Sequence, residues 1–365
     1  MLLRHGAGRE AIETLLRGPR RPAPCRTGPG GRSLRVRRGN EAMQRRRLLA
    51  TAASAPLALA APALRAQDIT GPLRIVVPFP PGGTSDILAR LIAPSLGARL
   101  GQNVVVENRP GAGGNIGADA VAKSRPDGTS LLLLDVSALA TNPFLYARMP
   151  FDTARDLAPV QMVIYAPYVM AVNNGLPVQD AAGLAAWVKA NPGRLNFAHS
   201  GIGTLTHIVG LSLATAWGSE ITAVPYRGGA PALLALVSNE ANMTLQGATQ
   251  SLPYVVNGQM RGIAVTGPRR LPPVPNLPTF RELGWPEPDS GTWQGILVQG
   301  QTPPAIVARL EREIAAVLAE PAIAGRIGEL GGEVAAEGSA AFRRRLAEQT
   351  ESYSRVIRAN NLRIE

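Results

Sequence analysis

The chain of 365 residues has one cysteine, Cys25, three histidines and two lysines, Lys123 and Lys189. Each shortage excludes a chemistry. With Cys25 close to the N-terminus, the remainder has no disulfide, thiolate metal ligand or thiol nucleophile. Neither lysine follows a glycine-rich loop, so the lysine that clamps phosphates in a P-loop is missing. Only 4% of residues are aromatic, which counts against stacked sugar sites and single-stranded nucleic acid platforms. A broad positive field is missing too, despite a formal charge of +12. Through Ala66 there are fourteen arginines against three acids; from Gln67 onward 24 basic residues face 23 acidic ones. A nearly neutral body lacks the electrostatic attraction on which nucleic acid binding rests.

The basic excess belongs to a leader. Residues 1–42 are rich in Arg, Gly and Pro without hydrophobic periodicity. From Met43, a second candidate start, Arg45, Arg46 and Arg47 precede an apolar stretch from Leu48 to about Ala63 and small residues beyond. That order is the one of a secretory signal peptide cleaved near residues 63–66, with Sec and Tat export both open. Pro56 and Pro62 interrupt the stretch, which is short for a bilayer span.

What remains reads as an α/β protein. Strands are expected at Leu73–Phe79, Asn103–Glu107, Ser130–Asp135, Val160–Tyr165, Tyr168–Val172, Leu195–Ala198, Ile221–Val224, Asn242–Leu245, Gly262–Thr266 and Gly295–Gln299. Helices are expected over Ser85–Leu100, Gly117–Lys123, Ala181–Ala190, Thr206–Ala216, Pro231–Val237, Pro304–Leu318 and Ala340–Arg358. The proline-rich stretch Pro268–Pro288 reads as an extended connection. Two α/β lobes follow: residues 67–165, then 166–292, with 293–365 returning to the first.

Four loops carry the chemistry, each between a strand and a helix. Pro78-Phe-Pro-Pro-Gly-Gly-Thr-Ser-Asp86 has a rigid entry, glycines that let backbone approach a ligand, and helix-start N–H groups that suit an anion. Its plainer reading is a capped turn. Asn108-Arg-Pro-Gly-Ala-Gly-Gly-Asn-Ile-Gly117 has glycine spacing that departs from the dinucleotide fingerprint, and a helix start facing a cleft is the better reading. His199-Ser-Gly-Ile-Gly-Thr-Leu-Thr-His207 presents hydroxyls and N–H groups. A serine hydrolase would join Ser200 and His207 to Asp86 or Asp135, but no nucleophile elbow is present. His199 and His207 lack neighbouring acids to complete a metal site. In Tyr226-Arg-Gly-Gly-Ala-Pro231, Arg227 is either a carboxylate partner or a solvated side chain. No cofactor is expected.

Together these segments resemble the Bug family, the extracytoplasmic solute receptors of tripartite tricarboxylate transporters. Ile75 to Asp86 is similar to the family's first loop and Val106 to Gly117 to its second. Ala140-Thr-Asn-Pro143, Tyr146, Pro150-Phe-Asp152 and Asp156-Leu-Ala-Pro-Val160 follow in the family's order. Ser200-Gly-Ile-Gly-Thr204 with His207, Val224 to Pro231 and Leu277-Pro-Thr-Phe280 complete the match.

The resemblance implies a two-lobed periplasmic binding protein, type II-like, with a ligand cleft between the lobes. It implies a small carboxylate ligand, delivery to transporter membrane subunits, a monomeric state and no catalysis. Ligand contacts would come from Phe79, Gly82, Gly83, Thr84, Ser85, Ser137 and Thr141 on the first lobe. Ser200, Gly203, Thr204 and His207 would supply the second. A periplasmic sensor subunit would use the same site. One departure bears on the ligand: many relatives carry an aspartate after the Gly-Gly-Ala-Pro helix, whereas here Gln246 stands near that place. A neutral glutamine disfavours an amino acid and favours a plain acid or an amide.

Overall fold

The computed structural model describes residues 69–287, 291–359 and 363–364. The expected leader and signal peptide, with Cys25, lie outside the described residues.

Among the described residues ten strands form one continuous network: β1 (Leu73–Val77), β2 (Val104–Asn108), β3 (Ser130–Asp135), β4 (Leu157–Val172), β5 (Asn196–His199), β6 (Thr222–Pro225), β7 (Met243–Gly247), β8 (Arg261–Val265), β9 (Gly291–Gln299) and β10 (Glu333–Val334). The main order is β2-β1-β3-β9-β4-β7-β5-β6, with β8 and β10 also paired to β4. In β1 and β3 the side chains alternate between two cores. Ile75, Val77, Leu131 and Leu133 enter one; Val76, Leu132 and Leu134 enter the other. A strand buried on both faces is apolar throughout, which is why Ser130–Asp135 reads as an unbroken leucine run.

The first core is covered by α1 (Thr84–Leu100), through Leu88, Ile92 and Leu96, and by α9 (Pro304–Leu318), through Ile306, Leu310 and Ile314. An Arg99–Glu313 ion pair at 3.1 Å ties α1 to α9. The opposite face receives α2 (Asn115–Ala122), α3 (Val136–Leu145) and Phe342, Leu346 and Tyr353 of α11 (Ser339–Ala359). Two short helices, α4 (Thr153–Asp156) and α10 (Pro321–Glu329), complete this lobe.

β4 joins the lobes. The separate strands expected at Val160–Tyr165 and Tyr168–Val172 are one strand of 16 residues. Its partners change in the middle: Leu157 to Pro167 pair with β9, and Tyr168 to Val172 pair with β7 and β8. Pro167, which has no N–H for a ladder, stands at that change. The second lobe adds α5 (Ala181–Ala190), α6 (Leu205–Trp217), α7 (Gly229–Val237) and α8 (Ala248–Val256). Among the described residues no helix is long and apolar enough to cross a membrane.

Candidate functional site

Six helices begin on the wall of one cavity of about 570 Å³. Four have glycine N-caps without a side-chain hydrogen bond: Gly83 for α1, Gly114 for α2, Gly228 for α7 and Gly247 for α8. All four glycines line the cavity. The other two caps use side chains, Asp135 accepting from Ser137 N before α3 and Thr204 accepting from His207 N before α6. Helix starts leave N–H groups unused within the helix and carry partial positive charge, so their convergence favours an anion.

A chain of hydrogen bonds organises the first-lobe wall. Ser85 Oγ donates to Gln294 Oε1 at 2.7 Å, and Gln294 Nε2 donates to Thr292 Oγ1 at 2.7 Å. Thr292 Oγ1 donates to Asp135 Oδ2 at 2.6 Å, while Ser137 N reaches Asp135 Oδ1 at 2.9 Å. Burial pushes the Asp135 carboxyl above its ordinary value, against the pull of the Thr292 and Ser137 hydrogen bonds. Thr141 Oγ1 donates to Ser137 O. Asp86 holds the first loop from behind, accepting from Gly82 N, Arg90 and Asn108 Nδ2. Burial raises its pKa, yet these hydrogen bonds outweigh it and keep the carboxyl below the usual range.

The second-lobe wall is a network of neutral side chains. Thr206 Oγ1 donates to Ser200 Oγ at 3.3 Å, and Ser200 Oγ donates to Gln246 Oε1 at 2.7 Å. Gln246 Nε2 donates to Thr244 Oγ1, which donates to Ala198 O. Among the described residues the only charged ones on the lining are Asp135 and Arg227. Arg227 is exposed and has no ion pair among the described residues.

Nine of the twelve residues singled out from the sequence line this cavity: Phe79, Gly83, Thr84, Ser85, Ser137, Thr141, Ser200, Thr204 and Gln246. Gly82, Gly203 and His207 are not on the lining. Gly82 is spent on Asp86, and Gly203 N donates to His207 Nδ1 at 3.1 Å. The lining also contains Tyr168, Gln250, Thr292 and Gln294, which carried no local motif. Thr292 and Gln294 arrive on the returning strand β9, beside β3. Gln250 lies in α8, a helix the sequence reading did not expect.

His207 stacks on His199, ring centroids 4.4 Å apart and planes 16° apart. Burial lowers both to about 4, and for His199 the neighbouring His207 adds to the effect. Both rings are therefore neutral at pH 7. In the unfolded chain they take up protons near 6.5, so stability is level above that pH and declines as pH falls toward 4. At pH 5 the expected loss is about 1–2 kcal/mol per histidine. Melts at pH 7 and pH 5 should show a smaller acid-induced drop for His207→Gln than for the parent; equal drops would contradict the account.

Among the described residues no group of three His, Cys, Asp or Glu is placed to hold a metal. An α/β fold of two lobes joined through β4, with a cavity ringed by helix starts, defines the class of periplasmic-type binding proteins. A family model described as "Tripartite tricarboxylate transporter family receptor" matches residues 88–362. A Pseudomonas sp. (strain P51) relative, described as the UPF0065 protein in the tcbD-tcbE intergenic region, is 35% identical over 318 residues, spanning 86% of this chain and 94% of that one. BugT of Bordetella pertussis is 33% identical over 295 residues, spanning 80% and 90%. Among solved structures, R. palustris Rpa4515 with adipate superposes with a TM-score of 0.77 at 33% identity, covering 81% of this chain and 99% of that chain. MatC from Rhodopseudomonas palustris with bound malate gives a TM-score of 0.73 at 28% identity, covering 79% and 99%. The chain belongs to the tripartite tricarboxylate transporter receptor family and is a solute-binding receptor.

Proposed function

We propose that the protein is a periplasmic receptor that closes its two lobes on a small carboxylic acid. Its leader is removed near residues 63–66, and the loaded form docks on the membrane subunits of a tripartite tricarboxylate-type transporter. The observation that carries this reading is the set of four glycine-capped helix starts on one cavity with a single exposed arginine. Such a wall holds a carboxylate through backbone N–H groups without a cationic clamp. The cavity leaves room for a small acid and ordered waters, each taking roughly 30 Å³. Adipate and malate in the two related structures support the same ligand class.

The hydrolase alternative gains nothing from the geometry. Ser200 Oγ donates to Gln246, and His207 Nδ1 receives the Gly203 N–H. A Ser200→Ala variant separates the two activities. The receptor account expects acid recovered chemically intact and a several-fold loss of affinity, about one hydrogen bond's worth. Consumption of an ester or amide that stops on this substitution would establish the enzyme instead.

A further inference from the structure

Gln250 is one of two exceptions on a wall whose polar side chains are otherwise mostly paired. It sits in the first turn of α8, lines the cavity and is only 7% exposed. Its Oε1 has no hydrogen-bond partner among the described residues. Buried polar atoms are nearly always satisfied, so an unpartnered amide oxygen on a side chain that lines a cavity points to a group that arrives from outside. Gln246 differs, since its Oε1 accepts a hydrogen bond from Ser200 Oγ and its Nε2 donates one to Thr244 Oγ1. Thr84 Oγ1, on the opposite lobe and the same cavity, is likewise buried without a partner.

Gly229 keeps the place open. A Cβ there would overlap Gln250 Nε2 and lie 2.8 Å from Gln246 Oε1. The glycine at the start of α7 thus leaves room beside the Gln250 amide. No charged side chain lines this part of the wall apart from Arg227, which is exposed two residues earlier.

We propose that Gln250 is a specificity-determining residue that reads an uncharged polar group, a hydroxyl or carboxamide, on the acid bound in the cavity. This deepens the receptor reading and rests on it. A primary amide both accepts and donates, so its complement is a neutral group that does both. A bare methylene would leave the amide unsatisfied, and an ammonium would meet no charge to balance it.

The test is calorimetry on the full chain with matched C3 to C6 acids, each bare, hydroxylated, amidated or aminated at one position. The parent is expected to prefer the hydroxylated or amidated member on the order of tenfold over the bare one. Gln250→Met, close in shape without hydrogen bonding, should collapse that ratio to within about twofold. Gln250→Glu should move the preference toward the aminated member, and it carries the test if the methionine variant fails to fold by circular dichroism. Acids bound by the parent without such a preference, or a preference that both substitutions leave intact, would overturn the role of Gln250 alone. Failure of every acid to bind the parent would overturn the receptor reading and the inference together.

Discussion

Gly229→Leu is expected to abolish useful ligand affinity, lowering it at least roughly 100-fold, while the ligand-free protein still folds. Its Cβ alone would overlap the Gln250 amide, and a larger side chain on this lining position is expected to take cavity volume from the ligand. Overpacking typically costs about 1–3 kcal/mol before lost ligand contacts are counted, and about 2.7 kcal/mol corresponds to a hundredfold change. Helix propensity does not oppose the substitution, because leucine is a better helix former than glycine at the start of α7. Calorimetry with an acid that binds the parent, beside a melt of each protein, measures both halves. Parent-like affinity in the variant would place the ligand elsewhere.

The second large effect falls on stability. Phe197 is completely buried in β5 and packs at 6.0 Å between ring centroids against His199. Gly210 in α6 lies against its ring so closely that a Cβ there would overlap it. Phe197→Ala should cost about 3–5 kcal/mol, since the helix cannot collapse fully into the space left. At about 2–4 °C per kcal/mol, the melting temperature should fall by roughly 6–20 °C. Because β5 leads directly into the loop that holds Ser200, affinity should weaken as well. A drop of only a degree or two would mean that this packing contributes little.

How legible these features were depended on local chemistry. Ser130–Asp135, Ala181–Ala190 and Pro304–Leu318 agree with β3, α5 and α9 at both ends. Each is a strong run bounded by cap or turn residues. The helices α3 and α8 went unread because Pro143 and Pro253 sit inside them, and α8 opens with the polar trio Thr249, Gln250 and Ser251. Those three are buried against the rest of the protein, a tertiary fact with no signature in the local pattern. The same omission concealed Gln250.

The glycine-rich loops were readable because a strand, a cap and a helix start are all local. The partners of Ser85 were not: Gln294 lies 209 residues away and reaches it only because β9 inserts between β3 and β4. Likewise Gln246 stood out only through its place after the Gly-Gly-Ala-Pro helix. Its pairing with Ser200 depends on β5 and β7 lying side by side.

The most direct test of an acid-binding cavity is a thermal-shift screen of the purified protein against mono-, di- and tricarboxylates, amino acids, amides and sugars. A ligand at 100 times its dissociation constant should add about 2.7 kcal/mol, a rise of roughly 5–10 °C for a chain near this size. The account predicts such a rise for carboxylates of one class and none for neutral sugars. A sugar that stabilises the protein while every carboxylate leaves the midpoint unchanged would contradict it.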